Sequence, residues 1–256
     1  MFNIEEFDIK LDTEVIGRNF IYFDEIDSTN SFLMESKNEK TLGTVVLAEY
    51  QLHGKGRKQR DWQASKEQAL TFSILLNDKI DLSNAPLLSL GSSLALAQAL
   101  ENLYQFKVNV KWPNDVLIEG KKIAGILIES ISKASKMEKI IVGIGINVNQ
   151  PNFTGKFNIR PTSVRMELKK SVSRERLLSE YLNHFESMLE DWATNPPKLI
   201  NDWKSRSRFL GEKITIKDGD EELYGVFEDV DENGYLILKT KDELRTIHSG
   251  DVTINS

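Results

Sequence analysis

The sequence predicts an α/β (α+β) protein, a mixed β-sheet with helical cover followed by a small C-terminal β-barrel of SH3 size. Three observations predict it. Between residues 20 and 149, apolar strand patterns recur, several separated only by tight turns, which indicates antiparallel or mixed pairing. Two long amphipathic helical patterns cover 86–104 and 173–194. From Gly211 the texture changes to short alternating runs punctuated by Asp-Gly and Asn-Gly. Residues 1–208 are therefore expected to form the main domain and 209–256 the small one.

Taken in order, residues 1–20 read as an acidic, partly extended lead-in, too short for a helix-turn-helix DNA-binding domain. Residues 20–23 form a short strand. Asp27-Ser28-Thr29-Asn30 can cap a helix whose apolar positions are Phe32, Leu33 and Met34. A strand over 44–50 delivers Gln51 and a basic loop that runs to about Glu67. Residues 70–76 make the next strand. Pro86 belongs to the first turn of the 86–104 helix, with Leu87, Leu90, Leu94 and Leu100 on its apolar face. A strand over 108–112 stops at Pro113. Residues 116–118 and 122–129 form a hairpin, and a charged linker leads to an almost wholly apolar strand over 139–149, expected mid-sheet. Pro196-Pro197 ends the 173–194 helix, and a short helix spans 199–204. Strands at 214–216, 223–227, 235–238 and 244–247 complete the chain, and helices should cover one face of the main sheet.

Composition narrows the function. The 256 residues carry 33 Lys and Arg against 39 Asp and Glu, a net charge of −6, so no broad basic face for nucleic acid is expected. There is no cysteine, which excludes disulfides, thiolate metal sites and a Cys nucleophile and fits a cytoplasmic protein. The N-terminus lacks the basic start and apolar core of a signal peptide, and no apolar run has the length of a membrane span. Three histidines (His53, His184, His248) make His-based metal chemistry unexpected, and no metal-ligating residues are assigned.

The local exception to the acidic balance is His53-Gly54-Lys55-Gly56-Arg57-Lys58-Gln59-Arg60-Asp61-Trp62. Four cations and two glycines suit a loop that closes over a phosphorylated ligand, and equally a solvated turn. Gly143-Ile144-Gly145-Ile146-Asn147-Val148 lacks the third glycine of a dinucleotide fingerprint, and there is no phosphate-binding P-loop and no zinc signature. What remains is a set of polar islands at strand ends: Ser28-Thr29-Asn30, Gln51 with the loop, Lys111-Trp112-Pro113-Asn114-Asp115, Lys122 with Gly125, and Gly145 with Asn147. Each has a structural alternative. Ser28 and Thr29 serve as helix caps, Lys122 as an exposed strand-edge lysine, and the Pro-Asn-Asp stretch as a strand stop with an Asx turn.

In combination, order and spacing, the islands resemble the bacterial biotin–protein ligases (biotin–[acetyl-CoA-carboxylase] ligases), in the short form without an N-terminal DNA-binding domain. The resemblance covers roughly residues 20–255, and Lys111-Trp112-Pro113-Asn114-Asp115 followed by Lys122-Ile123-Ala124-Gly125-Ile126-Leu127 is its most diagnostic part. It implies a catalytic domain shared with lipoyl ligases, with an SH3-like barrel behind it. It also implies a two-step reaction. Biotin is activated by ATP, with Mg²⁺, to biotinyl-5′-AMP, and is then transferred to a lysine of a biotin carboxyl carrier domain. By the same resemblance Lys122 and Arg57 are catalytic. Ser28, Thr29, Asn30, Gln51, Gly54, Lys55, Gly56, Arg57, Lys122, Gly125 and Gly145 bind biotin, the two last letting the ligand lie close to the sheet. Arg57, Arg60, Trp62, Lys111, Asn114, Lys122 and Asn147 serve the nucleotide, Trp62 packing near the adenine. Family members act as monomers or homodimers, and neither DNA nor membrane is an expected partner here.

Two departures stand out. The usual family loop reads Gly-Arg-Gly-Arg-x-Gly-Arg-x-Trp, whereas here Lys55 replaces the first Arg and Gln59 the third Gly. Lys55 keeps charge but loses the guanidinium fork. Gln59 makes a positive φ unexpected at that position. The rival readings are a lipoate or octanoate ligase, against which the basic loop and the Lys-Trp-Pro-Asn-Asp island stand, and a non-catalytic ligand-binding protein, against which Arg57 and Lys122 stand.

Overall fold

The structure, a computed structural model, describes residues 1–36, 41–76, 85–133 and 136–254. Its main sheet has seven strands: β1 (Phe20–Ile26), β2 (Val45–Gln51), β3 (Ala69–Leu76), β4 (Val108–Lys111), β5 (Asp115–Ile118), β6 (Lys121–Lys133) and β7 (Lys136–Asn147). Their order is β1-β2-β3-β7-β6-β5-β4, with β1 and β2 parallel and every other pair antiparallel. The apolar strand expected mid-sheet is β7, fourth of seven. Its Ile140, Ile141, Val142, Ile144 and Ile146 are buried on both faces, which is why the sequence there does not alternate. The charged stretch expected as a linker before residue 139 instead extends both strands, β6 to Lys133 and β7 from Lys136. Residues 134–135, between them, lie outside the described residues.

Three helices, α3 (Ala85–Tyr104), α5 (Arg174–Thr194) and α6 (Pro196–Arg206), pack on one face over a core built on Leu70, Phe72, Ile74, Tyr181 and Trp203. A helix over the opposite face was not expected. There α2 (Thr29–Glu35) seats Leu33 against Val46, Leu75 and Ile141. Its consecutive Phe32, Leu33 and Met34 cover only a patch, and the glycine-bearing part of that face is left for a ligand pocket. The lead-in is also more structured than it reads. Asn3 caps α1 (Ile4–Lys10) by accepting the Glu6 N–H, and Phe7 packs on Phe20 with ring centroids 4.6 Å apart. Residues 12–16 then run along α5, held by Asn183 and Glu186 side chains. Pro196-Pro197 not only stops α5 but opens α6, where proline costs nothing in the first turn. A single-turn helix, α4 (Val164–Leu168), carries no pattern long enough to read in advance.

Five antiparallel strands follow: β8 (Lys213–Asp218), β9 (Glu221–Val230), β10 (Leu236–Lys239), β11 (Leu244–Ile247) and β12 (Asp251–Ile254), ordered β11-β10-β9-β8-β12. The Asp231–Gly234 turn is fixed by the Asp231 carboxylate, which accepts the N–H groups of Asn233 and Tyr235, and by Gly234 at φ +85°. That turn also joins the two sheets. The buried Trp112 donates its indole N–H to Gly234 O at 3.0 Å. Edge strand β12 and the end of β8 thereby come to face the basic loop.

Candidate active site

The basic loop closes as a tight hairpin. Trp62 N–H donates to Gly54 O at 2.8 Å, Gly56 N–H donates to Arg60 O at 2.6 Å, and Lys55 bridges to Asp61. A Cβ at Gly54 would lie 2.5 Å from Trp62 O, so the closure needs glycine there. Between these ties the chain must reverse, and it does so with Lys58 at φ +54° and Gln59 at φ +58°. The expectation that Gln59 avoids positive φ is thus overturned. The reversal is set by the hydrogen bonds on either side and by contacts to the C-terminal strands, which offset a left-handed penalty of about 1–2 kcal/mol per non-glycine residue. Lys58 Nζ lies 3.0 Å from Asp218 and donates to Lys217 O at 3.2 Å. Arg60 pairs with Asp251, and Arg57 donates to Gly250 O at 3.4 Å.

Closure lays the Trp62 indole on the sheet. Its ring occupies the surface that Gly145 leaves bare, where any Cβ would collide with it, and reaches within 3.4 Å of a Cβ at Gly125. These two glycines, expected to admit a ligand, admit the protein's own tryptophan. The indole N–H is buried there without a hydrogen-bond partner, and Lys122 Nζ stands 5.7 Å from the ring centre.

Three cations gather beside it, Lys122, Lys111 and Arg57. Lys122 Nζ contacts Asp115 Oδ1 at 2.6 Å and Lys111 Nζ lies 3.8 Å from Asp115 Oδ2, so one carboxylate is shared by two ammonium groups. Lys111 is only 7% exposed. Burial pulls its pKa down, and Asp115 works against that shift. Arg57, which also reaches Asn114 Oδ1 at 3.4 Å, is likewise lowered by burial and held up by Asp251 and Asp115. An excess of partly desolvated cations is stabilised by an anion and costly without one.

The other end of the pocket is neutral and directional. Ser28 caps α2, its Oγ accepting the Ser31 N–H at 3.4 Å. Gln51 Oε1 accepts the Thr29 N–H at 2.7 Å and lies 3.0 Å from Thr29 Oγ1. Asn30 fills the space over Gly143, donates Nδ2–H to Glu129 Oε2 at 2.7 Å and accepts from the Ser73 hydroxyl.

A pocket of about 150 Å³ joins these groups. Ser28, Thr29, Asn30, Gln51, Lys55, Gly56, Arg57, Arg60, Trp62, Asn114, Lys122, Gly125 and Gly145 all line it. Three expected residues do not. Lys111 stands behind Asp115, Gly54 faces an adjoining cleft under the loop, and Asn147 is buried and accepts from Gln150 Nε2 at 3.1 Å. Four carboxylates and hydroxyls were not anticipated as site groups: Asp115, Ser73, Glu129 and Asp251. Asp115 belongs to the Lys-Trp-Pro-Asn-Asp island and was within reach of the sequence. Glu129 closes the 122–129 strand pattern that holds Lys122 and Gly125 and was likewise within reach, whereas Ser73 and Asp251 carry no local signal.

A mixed sheet with a cationic loop over a pocket that is neutral at one end suits a ligand with a polar ring at one end and an anion at the other, as a ligase that joins a carboxylate to a phosphate requires. Comparison with known proteins agrees. The profile of the "Biotin/lipoate A/B protein ligase family" matches residues 22–147, and that of the "Biotin protein ligase C terminal domain" matches 209–254. The chain is 33% identical over 250 residues to the bifunctional ligase/repressor BirA of Bacillus subtilis, covering 95% of this chain and 76% of that one. It is 32% identical over 221 residues to the biotin–[acetyl-CoA-carboxylase] ligase of Paracoccus denitrificans, covering 83% and 91%. A structure of the Aquifex aeolicus biotin protein ligase in complex with biotin and ATP superposes with a TM-score of 0.82 at 31% identity, covering 93% of this chain and 99% of that one. The chain belongs to the biotin/lipoate A/B protein ligase family, on its biotin protein ligase side.

Proposed function

We propose that this chain is a biotin–protein ligase that works at the pocket under the 53–62 loop. Biotin's carboxylate attacks the α-phosphate of ATP, pyrophosphate leaves, and biotinyl-5′-AMP stays bound. The ε-amine of a lysine on a biotin carboxyl carrier domain then attacks the mixed anhydride and AMP leaves. One observation carries the reading: a single pocket presents two chemically different ends. Neutral donors and acceptors at Thr29 and Gln51 suit a cyclic urea, and cations at Lys122 and Arg57 suit a carboxylate meeting a phosphate.

Lys122 and Arg57 are assigned to the reacting anions, neutralising charge that builds as carboxylate approaches phosphate. Asp115 positions Lys122 and Lys111 for that task. Arg60 and Asn114 are assigned to the nucleotide side, with Lys111 supporting from behind, and Trp62 to covering the adenylate. ATP enters as its Mg²⁺ complex, phosphate oxygens supplying most of the metal's ligands. Residues 1–208 form the catalytic domain and 209–256 the domain that holds the loop. No described helix is long and apolar enough to cross a membrane. The protein is placed in the cytoplasm, as a monomer or homodimer, with a biotin-dependent carboxylase as its acceptor. Incubation with biotin, ATP and a biotin carboxyl carrier domain, followed by intact-mass measurement, should show one biotinyl addition that a Lys→Arg acceptor lacks. Lipoylation in place of biotinylation would refute the proposal.

A further inference from the structure

The neutral end of the pocket has a hydrogen-bond direction that originates outside it. We propose that Glu129, acting through Asn30 and Ser73, fixes the orientation of the Thr29 hydroxyl and so makes this end select a ring N–H beside a carbonyl. Glu129 and Ser73 are then positioning residues for ligand specificity. The inference rests on the placement of biotin's ureido ring at Thr29 and Gln51.

The direction follows link by link. An ionised carboxylate has acceptors only, so Asn30 presents its Nδ2–H to Glu129 Oε2, at 2.7 Å. Asn30 Oδ1 is thereby turned toward Ser73, whose hydroxyl must donate to it. Ser73 has then used its one proton, so its 2.6 Å contact with Thr29 Oγ1 requires the Thr29 proton. The same Thr29 hydroxyl is also within donating distance of Gln51 Oε1, at 3.0 Å, which already accepts the Thr29 backbone N–H, but its one proton goes to the shorter contact with Ser73. With the Thr29 proton committed to Ser73, two acceptor oxygens stand side by side with no proton between them. That pair is unfavourable alone and is completed by an incoming N–H. Anchoring Oε1 leaves Gln51 Nε2 to donate. The wall thus shows a paired acceptor next to a donor, the complement of the N–H and C=O of a cyclic urea. Lys55 Nζ, 4.0 Å from Glu129 Oε1, ties the start of the relay to the closing loop.

The test compares biotin with a cyclic carbamate analogue in which one ring N–H is replaced by oxygen, using calorimetric titration of the full chain without ATP. Wild type should prefer biotin by about tenfold or more, the scale of one unsatisfied buried acceptor pair. In Ser73→Ala and Glu129→Leu the Thr29 hydroxyl is free to donate to the ring oxygen, and the preference should fall to about threefold or less. Glu129→Gln keeps an acceptor for Asn30 and should stay closer to wild type than Glu129→Leu. Ser73→Ala is the smaller change and stands as the test if Glu129→Leu does not fold. A preference unchanged in Ser73→Ala, or equal weakening of both ligands in both variants, overturns the relay. Wild type binding neither ligand overturns the assignment of the pocket itself, a separate result.

Discussion

Lys122 shows how much one position depends on its neighbours. Its ammonium is 2.6 Å from Asp115, which also faces Lys111, so its place is set by a carboxylate rather than by the strand alone. Loss of a preorganised charge of this kind costs about 10²–10³-fold in rate. Lys122→Ala should therefore cut adenylate formation by at least that factor while leaving the unfolding midpoint nearly unchanged, as single-turnover assays and urea melts would show. Most of the pocket lining was legible at this scale because its residues sit in contiguous islands at strand ends. Ser73 and Asp251 were not. Ser73 acts because β-pairing sets it opposite Gly143, over which Asn30 lies, and Asp251 acts because another domain folds against the loop. Such groups are brought in by register and packing, which a local motif does not encode.

At the scale of elements, the loop and the N-terminal segment each overturn a local expectation. Gln59 accepts a left-handed backbone because hydrogen bonds on either side demand the reversal. Gln59→Gly should relieve about 1 kcal/mol of strain in the closed loop and slow release of biotinyl-AMP several-fold, whereas Gln59→Pro cannot adopt that φ and should speed it. Stopped-flow release measurements separate the two. The lead-in reads as acidic and partly extended, yet its first residues complete a buried ion pair. Glu49, 0% exposed at its side chain, is met by Arg174 at 2.5 Å, by the Phe2 N–H at 2.7 Å and by the Tyr22 hydroxyl at 3.1 Å. Burial pushes the Glu49 pKa up, but these partners more than offset it and the net shift is downward. Its contribution to stability is therefore present above the ordinary carboxylate value and is lost as pH falls through the depressed folded value. Arg174→Ala, which strands that carboxylate, should cost about 3–5 kcal/mol in urea unfolding at neutral pH. Much of the loss should vanish once Glu49 is protonated in acid.

At the scale of the molecule, the small β domain helps to line the candidate pocket, through Asp251. The mixed pairing and the central place of β7 were readable from apolar runs and turn signals, but the strand order and the docking of one domain's edge on the other's loop were not. Lys58–Asp218 and Arg60–Asp251 hold the loop closed, with Trp112 and Gly234 fixing the distance between the sheets. Exposed ion pairs of this kind contribute about 0.2–1 kcal/mol each. Asp218→Asn with Asp251→Asn should thus loosen adenylate retention several-fold without unfolding either domain, and added salt should shrink the difference from wild type.

The proposed activation of biotin against ATP by Lys122 and the loop above it can be measured directly. Biotin-dependent exchange of labelled pyrophosphate into ATP measures that step alone. Wild type should exchange only when biotin is present, and Lys122→Ala should lose the exchange at least a hundredfold, as expected for a lost transition-state charge partner. Exchange by Lys122→Ala at the wild-type rate, or exchange driven by lipoate and not by biotin, would contradict it.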